Sequence, residues 1–70
     1  MLVEFIREMH RAGNTVHVTF VVLSGLGISG LVLGVGSMLS VQDEDGRLWE
    51  DIRGCDVIRL STETRQAVRL

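Results

Sequence analysis

The stretch "TFVVLSGLGISGLVLGVGSMLSVQD", Thr19 to Asp43, decides the fold of this chain. It is apolar and rich in glycine, and its only charge is the final aspartate. From Ala12 to Gln42 there is no Asp, Glu, Lys or Arg, a run long enough to span a bilayer as a helix, and Gly30 with Gly34 makes the GxxxG spacing of packed transmembrane helices. Against a span stand the strict alternation from Val16 to Val22, the many β-branched residues, the glycines at turn spacing and the lack of a flanking basic cluster. The stretch reads as strands, and no membrane association is expected.

Working outward, Val16, Val18, Phe20 and Val22 alternate with His17, Thr19, Val21 and Leu23, the period of a strand with one packed face. Ser24-Gly25 between apolar runs supplies a hairpin turn. Ile28, Gly30 and Val32 form the next inward set, with Val35 beyond it, and Gly30, Gly34 and Gly36 mark a strongly bent strand. Met38 to Val41 is a third strand, closed by the Asp45-Gly46 hairpin signal. Leu48 to Ile52 is the fourth, and Val57 to Leu60, after Gly54, is the fifth. Upstream, Leu2, Phe5, Ile6 and Met9 recur at helical spacing, which predicts a short amphipathic helix from about Leu2 to Arg11, stopped at Gly13-Asn14. The segment from Ser61 to Leu70 is a polar tail, read as a short helical turn or as disordered.

A chain of 70 residues is one domain, and a core of that size supplies only roughly 3–5 kcal/mol without further staples. Cys55 is the only cysteine, so no disulfide forms within the chain, and His10, His17 and Cys55 lack metal-ligand spacing. Self-association is the remaining source of stability. The formal charge of −2 argues against a protein that coats nucleic acid nonspecifically. All seven basic residues are arginine, whose planar fork suits phosphate and base edges, so a local basic patch remains open. Nothing resembles a base and orienter around a nucleophile, and a non-enzyme without cofactor is expected. "MLVEFIREMH" has no signal-peptide pattern, and a cytoplasmic address fits the single cysteine.

A helix followed by five short bent strands is the layout of a small barrel, and the residues resemble the Sm, LSm and bacterial Hfq family. "VTFVVLSGLGISGLVLGVGSMLSVQD", Val18 to Asp43, is similar without a gap to that family's first motif: Ser24-Gly25 at the turn, Gly30 five residues on, then Val32 and Val35. "IRGCDVIRL", Ile52 to Leu60, is similar to its second, with Ile52, Arg53 and Gly54 followed by the apolar Val57, Ile58 and Leu60. The resemblance covers about Leu2 to Leu60. It implies a mainly β fold, an N-terminal helix with a five-stranded antiparallel Sm-like barrel, assembled as a homo-oligomeric ring of six or seven subunits in which the fourth strand pairs with the fifth of the next subunit.

The resemblance also implies binding of single-stranded RNA around a pore. Arg53 and Gly54 match the base-clamping pair of the family, whereas Gly36, Met38 and Ser40 stand where it has aspartate, a stacking ring and asparagine, so a uridine-specific pocket is not expected. Each of these residues also has a plainer reading: Gly54 as a sharp turn, Arg53 as an ion-pair partner, Met38 as core and Ser40 as an ordinary strand serine. Arg7 and Arg11, four apart on the helix, are candidate phosphate contacts at the rim, or else solvated partners of Glu4 and Glu8. Trp49, Val57 and Ile58 are candidates for the subunit interface. The acids from Asp43 to Asp45 match no calcium loop and read as a hairpin tip. The competing function is a protein-interaction scaffold that has lost its RNA pocket.

Overall fold

A computed structural model describes residues 2–63. Helix α1 (Leu2–Arg11) precedes strands β1 (Thr15–Val21), β2 (Gly27–Val35), β3 (Leu39–Asp43), β4 (Leu48–Ile52) and β5 (Val57–Glu63), with a turn of 3-10 helix, Gly54–Asp56, before the last. All strands pair antiparallel in one sheet of order β4-β3-β2-β1-β5. The decisive stretch is therefore strand and turn, and among the described residues no helix is long and apolar enough to cross a membrane.

Helix α1 centres its inner face on Ile6, which is fully buried, with Leu2 and Met9 packed beside it. Phe5, expected on that face, is half exposed. It precedes Ile6 by one residue, roughly 100° round the helix, whereas Val3 and His10 stand three before and four after Ile6 and are part-buried. The helix ends as expected: Asn14 N–H donates to the Met9 carbonyl and Gly13 N–H to that of His10, with Gly13 at φ 91°. This is the paired bonding of a Schellman stop, which needs a residue free of the Cβ penalty at positive φ.

In β1 the alternation holds: Val16, Val18 and Phe20 are buried, and Val32, Leu39 and Val41 complete the core with Ile6. Truncation of Phe20, the largest of these side chains, removes about 3–5 kcal/mol by the usual cavity cost. Three bulges interrupt the pattern. Leu33 is extra between the pairs Val32↔Val41 and Gly34↔Ser40, and Ile58 is extra between Thr19↔Arg59 and Phe20↔Val57. Two residues of β4, Glu50 and Asp51, face Ser40 alone between the pairs Val41↔Trp49 and Leu39↔Ile52. A bulge leaves its extra residue outside the ladder and turns the strand. Leu33 and Ile58 are accordingly exposed, and Val35 returns to the core three residues after Val32.

The sheet differs from the expected barrel in being open. β4 and β5 are its two edges and do not pair with each other. The fifth strand also runs on beyond Leu60 through Ser61, Thr62 and Glu63, pairing Glu63 with Thr15. The rest of the polar tail, 64–70, lies outside the described residues.

Candidate functional site

Two loops and one helix meet at a cavity of about 470 Å³ lined by Leu2, Val3, Glu4, Arg7, Ser37, Arg53, Gly54 and Cys55. Its size falls within the range usual for small-molecule pockets, roughly 300–1,000 Å³. Helix α1 forms one wall, and Val3, Glu4 and Arg7 share it because residues three and four apart are neighbours on a helix.

The helix also fixes both loops. Arg7 Nη2 donates to the Gly36 carbonyl at 2.7 Å, tying the β2–β3 loop to α1. That loop is closed on itself by Gly36 N–H donating to the Met38 carbonyl at 2.9 Å, and Ser37 between them reaches the cavity. On the other side, Gly54 lies under Val3: a Cβ on Gly54 would stand 2.6 Å from Val3 Cγ2. Gly54 is not among the glycines with positive φ, so close helix packing, rather than a sharp turn, is what its missing side chain serves.

Arg53 is oriented from below. Its Nε donates to Asp56 Oδ2 at 3.2 Å and its Nη2 to Oδ1 at 3.4 Å, a forked pairing. The hydrogen bonds and charge of Asp56 hold the guanidinium above its ordinary pKa. Arg7 and Arg53 thus both line a cavity whose wall is mostly apolar.

The cavity brings together three of the residues singled out in the sequence, Arg7, Arg53 and Gly54. The others lie outside it. Met38 is 42 % exposed in the β2–β3 loop, and so is not core, while Ser40 sits on β3 opposite Gly34, half-buried. Arg11 points into solvent, 3.8 Å from Glu8. Trp49 is engaged within its own chain. Its ring meets Phe20 edge-on at 5.6 Å, its N–H donates to Asp43 Oδ2 at 2.9 Å, and the Arg47 guanidinium lies 4.4 Å over it. Val57 packs against the core, and Ile58 is 65 % exposed at the edge. Sequence reasoning missed Val3, Glu4, Ser37 and Cys55. The first two carried a signal, since they share with Arg7 the helical spacing already used for Leu2 and Ile6; Ser37 and Cys55 carried none.

Two further features lie outside that cavity. The β1–β2 turn exposes Leu23 and Leu26, and Glu44 and Asp45 of the β3–β4 turn lie against Gly27 to Ser29 at the start of β2. No protein family, curated protein or solved structure matches the chain.

Proposed function

We propose that this protein is a non-enzymatic, Sm-like RNA-binding subunit that assembles head to tail into a ring of six or seven copies and holds single-stranded RNA at the cavity beneath α1. The observation that carries the reading is the convergence of Arg7 and Arg53 at one apolar cavity with Gly54 and the β2–β3 loop. Guanidinium groups supply phosphate contacts, and an apolar wall suits an unstacked base, which only a single strand offers.

The open sheet supports the assembly. Its edges are complementary: β4 carries exposed Leu48 with Glu50 and Asp51, and β5 carries exposed Ile58 with Arg59. Pairing β4 of one copy with β5 of the next would cover both edges, remove the liability of free strand edges and bring acids against an arginine. A small core gains most from such covering.

Native mass spectrometry together with titration of short oligoribonucleotides at low ionic strength tests the reading. A single closed oligomer that binds RNA, with affinity falling as salt rises, is the expected result. Arg53→Ala is expected to weaken binding roughly tenfold or more. A monomer, or a ring with no salt-dependent binding, overturns it.

The exposed Leu23 and Leu26 of the β1–β2 turn, and the acidic Glu44 and Asp45 lining a cleft with the start of β2, favour a second reading, a scaffold that binds protein, since carboxylates repel phosphate. A stoichiometric co-purifying protein with no nucleic acid would select it.

A further inference from the structure

The cavity beneath α1 holds one group that a plain phosphate cradle would exclude. Glu4 stands three residues before Arg7 on the helix, and it lines the cavity with Arg7 and Arg53. Among the described residues the close ion pairs join Arg11 to Glu8, His17 to Glu63 and Arg53 to Asp56, and none of them engages the Glu4 carboxylate.

An ionised carboxylate only accepts hydrogen bonds, and a guanidinium only donates them. A ligand that uses both must carry N–H or O–H donors for Glu4 and an anion for the arginines, together with an apolar body to lie against Leu2 and Val3. A simple phosphate offers Glu4 nothing but repulsion, and a basic peptide meets two like charges. A nucleotide supplies all three features.

The bases differ in what they show a carboxylate. Uracil presents one ring N–H between two carbonyl oxygens, which the carboxylate repels. Adenine and cytosine each present a single amino group beside a ring nitrogen that is itself an acceptor. Guanine alone presents two adjacent donors, N1–H and the N2 amino group, side by side and able to engage both oxygens of one carboxylate at once. We infer that the cavity selects guanine in single-stranded RNA, with Glu4 accepting from N1 and N2 while Arg7 and Arg53 hold the flanking phosphates. This selectivity rests on the RNA-binding reading given above and adds a specificity residue to it.

The test is fluorescence anisotropy on the intact protein at low ionic strength, using hexauridylates in which one residue is guanosine, inosine, adenosine or cytidine, beside the all-uridine strand. Guanosine is expected to bind tightest, by about fivefold or more over uridine, as a bidentate base contact allows. Inosine, which keeps N1–H and lacks the N2 amino group, falls between. In Glu4→Gln, whose side chain is exposed and whose fold is checked by circular dichroism, the guanosine preference is expected to vanish. Equal binding of all five strands by the wild-type protein overturns the selectivity while leaving RNA binding intact. A guanosine preference that survives in Glu4→Gln overturns the role of Glu4. Failure of every strand to bind removes the RNA reading itself and this inference with it.

Discussion

Val3 Cγ2 occupies the space where a side chain on Gly54 would begin, 2.6 Å from the position of its first carbon. Valine is stiff about its only side-chain torsion and cannot swing aside freely. Gly54→Ala should therefore lift α1 from the turn before β5, at a cost of about 1–3 kcal/mol, as overpacking usually exacts. Adding Val3→Ala to the same chain should restore part of the loss. Urea unfolding of the two single variants and the double variant measures the coupling, and strictly additive losses would show that the two groups do not meet.

Asp51 adopts φ 60° within the bulge of β4. Short polar residues tolerate that left-handed backbone, and β-branched ones do not. Asp51→Val should cost about 1–2 kcal/mol, and Asp51→Gly should leave the unfolding midpoint unchanged or higher. A neutral Asp51→Val would mean that the bulge relaxes.

Asp43 makes the stability of the β3–β4 hairpin depend on acid. The Trp49 N–H bond is the main cause that lowers its pKa from 3.8; backbone bonds from Arg47 and Asp45 and the Arg47 charge add to it, and partial desolvation opposes it. A carboxyl whose folded pKa is lowered binds its proton more readily in the unfolded chain, so its contribution is fully present above the unfolded value. It is then lost as pH falls from about 4 through the folded value. Thermal melting of Asp43→Asn against the wild-type protein should show a gap at neutral pH that narrows below pH 4. A gap constant with pH would sink the assignment.

If β4 meets β5 between copies, charge reversal at the edges should control assembly. Arg59→Glu is expected to shift the oligomer toward monomer in native mass spectrometry, and Glu50→Arg in the same chain to restore it. Persistence of the oligomer in Arg59→Glu would place the contact elsewhere.

The helix, the five strands and the turns at Gly13, Gly25 and Gly46 were legible because local chemistry sets them: period 3.6, then period 2, with glycine where φ is positive. The spacing of three between Val32 and Val35 even carried the Leu33 bulge. Less legible were the bulges at Ile58 and Asp51, since each depends on register against a partner strand and not on the residue itself. The cavity was half legible. Arg7, Arg53 and Gly54 stood out one by one, but their meeting is a product of how α1 crosses the sheet, and so is the exclusion of Met38, one position too far along its loop.

The strand order has a kinetic side. β2, β3 and β4 each pair with the strand before them in the chain, so a meander forms through short loops, whereas β5 must return to β1 across the whole of it. Closing so long a loop is entropically unfavourable until the intervening hairpins have shortened it, and contacts of high sequence separation are the slow ones. The edge bearing Ile58 and Arg59 is therefore expected to be the last part of the sheet laid down, with Phe20 and Val18 open on that flank until it arrives.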